Sequence, residues 1–301
     1  MLSSVSRLGL PPEKTTHLQQ AIKARDYIAA EGILLPEIER DPHSIATAHL
    51  LAFTGGVYFL AQDYLHAAIA WKKSQTIAPL EPTFQFTLAM AYIRVGHSDW
   101  AHPVLESLAS QNKQEAIYPY WLGRLAYDSH DYSEAIQYFQ NAIRLAPNMA
   151  RAYDSLGLCY YYQNDNVSAI ANYKKAIELD RGSPHPSAWP YLNLAITLQF
   201  LNQLDAAEIN LRESLRLNPK LAEAHFHLGL ILDTLNRSDA AILELDQAAD
   251  LDPNYAEPHF ALAKIYHRLG KREEAQKEVE TYLHIHANAT EPGPSINTSL
   301  P

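Results

Sequence analysis

The chain has 301 residues, of which 47% are hydrophobic, and a formal net charge of −10 at pH 7. Its 11 glycines are too few for an all-β sandwich or a Rossmann-type sheet, which use glycine at turns and phosphate loops. The single cysteine, Cys159, excludes an intramolecular disulfide and a zinc site with several thiolates, and the acidic charge opposes nucleic-acid binding.

The N-terminal segment, residues 1–47, is predicted to contain a degenerate repeat that caps the rest of the chain. No apolar stretch follows Arg7, so a secretory signal is not expected. Gly32 and Pro36 are expected to weaken the second helix of this repeat. Residues 42–62 carry no charge, but polar residues and glycines interrupt the run too often for a membrane span.

A repeated pattern occupies most of the remaining sequence. Leu122 and Leu156 begin two similar stretches 34 residues apart. Each stretch has the periodicity of two amphipathic helices separated by a polar turn. Seven such copies begin at Thr54, Leu88, Leu122, Leu156, Leu194, Leu228 and Leu262.

Each predicted helix carries one small residue at a fixed place, where two antiparallel helices can cross closely. On the first helices these residues are Gly55, Ala89, Gly123, Gly157, Ala195, Gly229 and Ala263. Twelve residues later, on the second helices, they are Ala67, Ala101, Ala135, Ala169, Ala207, Ala241 and Ala275. Large side chains flank the crossings, among them Trp71, Phe139 and Tyr173.

This pattern resembles the tetratricopeptide repeat (TPR) family over roughly residues 48–289. The resemblance implies an all-α, right-handed superhelical solenoid of helix-turn-helix repeats, in which the first helices line a concave groove. Four residues depart from the pattern: Lys113 and Arg181 replace a closing proline, Tyr282 replaces a small residue, and Pro103 is expected to kink or delay a helix.

Four extra residues interrupt the repeats and divide them into residues 48–183 and 188–289. The inserted loop, residues 184–187, is rich in proline and reads as a turn. Two interpretations stay open, namely a lengthened turn between repeats and a hinge between a four-repeat and a three-repeat block. Residues 290–301 lack apolar periodicity and are predicted to form a disordered tail.

A second stripe on the first helices is predicted to face the groove and to bind a partner. Aromatic and arginine side chains commonly anchor protein interfaces. The predicted groove residues are Phe53, Phe86, Tyr120, Trp121, Arg124, Tyr127, Arg151, Tyr161, Tyr162, Trp189, Asn193, Phe226 and His227. We expect about half of such rings to pack in the core, and we find no match to the lysine–asparagine clamp with which some TPR domains hold a terminal carboxylate.

The functional prediction is a non-enzymatic, cytoplasmic scaffold that binds a peptide or helical segment of another protein and needs no cofactor. No phosphate loop, zinc-protease motif or nucleophile elbow occurs in the sequence. Two alternatives stay open: a helical-repeat nucleic-acid binder, and a metal-binding or enzymatic protein that uses the groove. For a metal site, the histidines considered are His225, His227 and His259. Self-association through the end repeats also stays open.

Overall fold

A computed structural model describes residues 2–289, and the side chains of residues 4–287. This part of the chain contains a short 3-10 helix at Leu2–Arg7 and sixteen α-helices, with no strand. The all-α prediction is therefore confirmed. The helices are α1 Pro12–Ala24, α2 Tyr27–Arg40, α3 Ile45–Leu60, α4 Tyr64–Ile77, α5 Pro82–Arg94, α6 Ser98–Gln111, α7 Ile117–Asp128, α8 Tyr132–Leu145, α9 Ala150–Tyr162, α10 Asn166–Asp180, α11 Trp189–Phe200, α12 Leu204–Leu217, α13 Ala222–Thr234, α14 Ser238–Leu251, α15 Ala256–Arg268 and α16 Arg272–Ala289.

The helices pair in chain order into hairpins, and one kind of turn joins the two helices of each hairpin. In the hairpin of α9 and α10, Asn164 adopts a left-handed backbone conformation with φ of 61°. The N–H of Asp165 donates to the carbonyl of Tyr160 over 2.9 Å, which closes the end of α9. The Asp165 carboxylate then accepts from the N–H of Ser168 over 3.1 Å and caps the start of α10.

Two compact units divide the chain, one ending at Leu125 and the other beginning at Ala126, within α7. In the first unit, residues 12–40 form the hairpin of α1 and α2, whose core includes Leu18 and Leu34. Pro36 lies inside α2, which runs on to Arg40. The buried face of this hairpin packs against residues of α3.

Pro103 does not delay the start of α6, contrary to one of the two sequence expectations. It lies inside α6, which continues to Gln111. Proline removes one N–H donor and crowds the carbonyl four residues earlier. That carbonyl belongs to Asp99, in the first turn, so the rest of the hydrogen-bonding ladder of α6 is unaffected.

The small residues predicted at the helix crossings lie where large side chains fill the hairpin interior. In the first unit, a Cβ atom on Gly55 would lie 2.6 Å from Nε1 of Trp71. The Trp71 ring is fully buried, and its Nε1 donates to the carbonyl of Ala52 over 2.8 Å. In the second unit, a Cβ atom on Gly157 would lie 2.6 Å from Cε1 of Tyr173. Glycine is therefore required by close approach at both positions.

The core of the second unit is continuous from α10 to α15, because each hairpin packs on the next. Its buried residues include Tyr173, Leu192, Leu211, Leu228 and Ile265. Successive first helices also contact each other directly, α9 with α11, α11 with α13 and α13 with α15. This arrangement places residues of neighbouring first helices side by side on one face.

The inserted loop before α11 is anchored to the end of α10. The N–H of Ser183 donates to the carbonyl of Asp180 over 2.9 Å, and the N–H of Ser187 donates to the carboxylate of Asp180. The loop lies wholly within the second unit. The hinge interpretation of this loop stays a prediction, and the predicted disordered tail lies outside the described residues.

Candidate functional site

The predicted groove residues of the first unit are mostly withdrawn from the surface. Phe53 and Tyr120 are buried, 2% and 5% exposed. Phe86, Trp121 and Arg124 are half-buried, and the Phe86 ring meets the edge of Tyr118 with 5.8 Å between centroids. These side chains contribute to packing, so the first unit offers little of the expected aromatic surface on its first helices.

In the second unit, the predicted residues divide into buried, half-buried and exposed groups. Asn193 is buried. The half-buried residues are Tyr127, Tyr161, Trp189, Phe226 and His227. Arg151 and Tyr162 are exposed. We call the surface formed by α9, α11, α13 and α15 the first-helix face, and it is here that the structure brings most of the predicted residues together.

Polar side chains join each first helix of this face to the next. The amide Nδ2 of Asn193 on α11 donates to Oδ1 of Asp154 on α9 over 2.9 Å. Arg268 on α15 donates to both carboxylate oxygens of Asp233 on α13, with 3.3 Å between Nη1 and Oδ2. The carboxylate raises the pKa of Arg268. Such two-point contacts fix the relative orientation of the two groups.

His227 forms the remaining link, between α13 and α11. Its Nδ1 lies 2.9 Å from Oε1 of Gln199. Burial lowers the pKa of His227 to about 4, so the imidazole is neutral at pH 7 and donates from Nδ1 to the amide oxygen. The edge of the His227 ring meets Phe226, whose ring also meets Tyr255 with 5.1 Å between centroids.

An aromatic cluster occupies the part of the face where α9 and α11 end. The Tyr162 ring stacks on Tyr132 with 4.9 Å between centroids and 5° between planes. It also meets Tyr127 and Tyr161 edge-on, at 5.9 Å and 5.5 Å. Tyr161 in turn meets Phe200 edge-on at 6.5 Å. The cluster therefore forms one connected set of five rings.

Two members of this cluster are exposed although their rings are large. Tyr162 is 50% exposed and Phe200 is 64% exposed, whereas Tyr161 is half-buried and its burial raises the pKa of its hydroxyl. Rings that are held by neighbours and open to solvent can bury area on binding with little loss of side-chain entropy. Tyr162 and Phe200 are thus the rings of this cluster best placed to touch a ligand.

Sequence reasoning missed Tyr132, which stacks on Tyr162 but belongs to the second helix of an earlier hairpin. The available signal was its position directly after Asp131, which caps α8. A residue next to the turn lies at the same edge as the end of a first helix. Tyr255 and Gln199 were also outside the predicted set, since their importance depends on the partners that the fold supplies.

Two of the three histidines considered for a metal site, His225 and His259, are held within their own hairpins. Nδ1 of His225 lies 2.7 Å from a carboxylate oxygen of Glu244, and Nδ1 of His259 lies 2.6 Å from one of Glu278. Among the described side chains, no three histidine, cysteine or acidic residues are grouped as metal ligands. Within residues 2–289, no helix has the length and apolar character needed to cross a membrane.

Comparison with known proteins agrees with this repeat architecture. The sequence matches a family described as tetratricopeptide repeat at residues 114–182 and 148–220 and one described as TPR repeat at residues 234–270. No curated protein matches the sequence significantly.

Several solved structures resemble the fold at low sequence identity. A tetratricopeptide repeat protein from Parabacteroides merdae has a TM-score of 0.68 and 16% identity, covering 84% of this chain and 97% of that one. A chain of the APC/C hetero-tetramer Cut9–Hcn1 has a TM-score of 0.65 and 19% identity, with coverage of 88% and 52%. PilW, described as a type IV pilus biogenesis factor, has a TM-score of 0.61 and 20% identity, with coverage of 71% and 96%. At these identities the likeness shows the fold alone, an all-α helical repeat solenoid.

Proposed function

Because the chain is a tetratricopeptide repeat protein, we propose that it is a non-enzymatic scaffold that binds a segment of another protein along the first-helix face of its second unit. The observation that carries this proposal is the pair of exposed rings, Tyr162 and Phe200, supported by a connected aromatic cluster. Large rings left in water next to other rings are characteristic of binding surfaces.

The rest of the face supplies a rigid frame for such a ligand. Hydrogen bonds from Asn193 and His227 and the ion pair of Arg268 tie four successive first helices together. Their polar atoms are engaged with each other, so the ligand gains most from the rings. We expect the partner segment to insert apolar or aromatic side chains between Tyr162 and Phe200 and to place its polar groups over α13 and α15.

The test compares partner capture by two double alanine variants. Tyr162→Ala with Phe200→Ala removes the exposed rings. Val167→Ala with Ile209→Ala removes two exposed apolar side chains, 82% and 64% exposed, from the second helices of the same two repeats. Each variant is used for affinity capture from a native lysate with quantitative mass spectrometry.

We expect a partner protein to be reduced about tenfold or more by the ring variant, and to be retained within about twofold by the control variant. Circular dichroism must show equal helicity in all three proteins. Equal recovery by both variants would place binding elsewhere. Recovery of nucleic acid that nuclease removes would favour the nucleic-acid alternative instead.

Trp121 and Tyr161 are less suitable residues for this test. Both are half-buried, and Tyr161 packs against the core of the second unit. Truncating them would therefore change stability together with binding. Exposed rings avoid that ambiguity, because their removal leaves the hairpin interiors intact.

A further inference from the structure

An apolar groove lies on the first unit, on the side formed by second helices rather than first helices. Its cavity volume is about 590 Å³, within the range of about 300–1,000 Å³ common for binding pockets. Leu65 and Ile69 of α4 form one wall, Trp100 and Val104 of α6 form the other, and Tyr92 of α5 contributes between them. None of these residues belongs to the first-helix face.

The walls present apolar side chains at helical spacing on both sides. On α4, Leu65, Ile69 and Lys72 are separated by four and three residues and share one face. On α6, Trp100 and Val104 are also four residues apart. Two parallel stripes of this kind match the apolar face of a third helix, in which residues recur at i, i+3 or i+4, and i+7.

Three of these apolar residues are exposed to solvent. Leu65 is 54%, Ile69 42% and Trp100 47% exposed. The Trp100 ring is nevertheless fixed, because it stacks on His97 with 3.8 Å between centroids and 4° between planes. Tyr92 also meets it edge-on at 5.5 Å. A held, half-exposed tryptophan is the kind of side chain that anchors interfaces.

The repeat itself shows that hairpin packing does not require these side chains. The positions equivalent to Trp100 in the next two repeats carry Glu134 and Ser168. The position equivalent to Val104 in the last repeat carries Glu278. The same fold is thus built with polar residues at these places, so the apolar groove of the first unit has another role.

Charged residues at the groove indicate which kind of ligand it binds. Lys72 and Lys73 line the α4 side and are exposed, and neither forms a salt bridge with any side chain that the structure describes. The whole chain carries a net charge of −10, so two adjacent lysines without acidic partners are unusual on it. On α6, Asp99 and Glu106 are not among the lining residues.

We propose that this groove binds an amphipathic helix of a partner protein, with apolar residues facing Trp100 and Ile69 and acidic residues facing Lys72 and Lys73. The apolar side chains supply the free energy of burial, and the lysines set the direction in which the helix lies. The groove belongs to the first unit and is formed by helices other than those of the first-helix face.

The test uses a displayed library of random peptides as the probe. The library is first depleted on the full chain carrying Ile69→Glu and then selected on the unaltered full chain. We expect the selected peptides to have apolar residues at i, i+3 or i+4, and i+7, with aspartate or glutamate along one flank. Trp100→Ala and Ile69→Glu should each weaken binding about tenfold or more.

A matched control comes from the equivalent position of a later repeat. Ile209 corresponds to Ile69 and is 64% exposed, but lies outside the groove. Ile209→Glu should leave peptide affinity within about twofold. Thermal melting of each variant must match the unaltered chain. The double variant Lys72→Glu with Lys73→Glu, at two exposed positions, provides a second test that leaves the apolar residues unchanged.

Reversing the charge of both lysines gives the most specific test of the proposal. The double lysine variant should weaken the acidic peptides about tenfold and should bind better the same peptides with their acids changed to lysine. Several results would overturn the proposal. One is selection of peptides that bind equally to the Ile69→Glu chain, or that lack acidic residues. Another is saturable binding of dodecanoate in the groove without any peptide. A third is self-association of the chain that Ile69→Glu abolishes.

Discussion

The hairpin interiors and the first-helix face of the second unit are built by different rules. In the hairpin interiors at Gly55, Gly157 and Gly229, the small residue on the first helix faces a large side chain on the second, as with Gly157 and Tyr173. The ends of the first helices on the face carry no repeated residue: Tyr162, Phe200 and Thr234 end three successive first helices. The interior therefore determines the fold, whereas the face is free to vary and to determine what the protein binds.

The volume of the side chain on the second helix limits the size of the residue that faces it on the first helix. Gly157 and Gly55 face the rings of Tyr173 and Trp71. At the equivalent place in the next hairpin of the second unit, Ala195 accompanies Leu211, and both are fully buried. Both rings are thus paired with glycine, whereas aliphatic side chains are paired with alanine or with glycine, since Gly229 faces Leu245. In each case the small residue leaves the volume that the large side chain fills.

The largest expected effect follows from emptying one interior. Tyr173→Ala should lower the free energy of unfolding by about 3–5 kcal/mol, since a fully buried ring leaves a cavity that the surrounding helices only partly close. Chemical denaturation followed by circular dichroism measures this. A loss below about 1 kcal/mol would show that the ring is not the main filling of the hairpin, and would contradict the rule.

His227 lies on the first-helix face, and it tests whether residues of this face also contribute to the stability of the fold. The pKa of His227 is lowered to about 4 in the folded chain, below the ordinary value of about 6.5. As pH falls from about 6.5 to 4, the unfolded chain takes up a proton that the folded chain does not. Folding therefore loses up to about 3 kcal/mol in that range, and His227→Gln should remove this loss.

The control for this experiment lies two residues away on the same helix. Burial opposes the charge of His225, but its hydrogen bonds to Glu244 and to the carbonyl of Pro219, together with the charge of Glu244, outweigh burial and raise its pKa. His225 therefore stabilises the fold at low pH and loses that contribution as pH rises through its folded pKa. His225→Gln should change the pH profile of stability in the opposite sense, and identical profiles for both variants would contradict the assignment.

Adding volume to the interior should have a smaller effect than removing it. Gly157→Ala places a Cβ atom 2.6 Å from Cε1 of a ring that cannot move away, so we expect destabilisation of about 1–3 kcal/mol. In a chain that also carries Tyr173→Leu, the same change should cost about 1–2 kcal/mol less, because the clashing ring atoms are absent. Additive effects in this double-mutant cycle would show that the two residues do not pack against each other.

The interior could be predicted from the sequence because its cause is local and repeated. Seven copies with Gly or Ala at matching places define the crossing without knowledge of any neighbour. The face could be predicted only in part. Phe53, Tyr120 and Asn193 have the helical phase of surface residues, yet all three are buried. Helical phase predicts the direction in which a side chain leaves its helix, but the size of the side chains on the adjacent helix decides whether water reaches it.

The smallest expected effect on stability is at Phe200. This residue gives the strictest test of the difference between the hairpin interiors and the first-helix face. Phe200 is 64% exposed and Leu198, two residues earlier on α11, is 7% exposed. Phe200→Ala should change the free energy of unfolding by no more than about 0.5 kcal/mol, whereas Leu198→Ala should cost about 2–5 kcal/mol. Partner binding should show the reverse order when both variants are folded, because only Phe200 offers its ring to a ligand. If Phe200→Ala destabilised the chain as much as Leu198→Ala, the aromatic cluster would be part of the core, and its exposed rings would have to be explained without a partner.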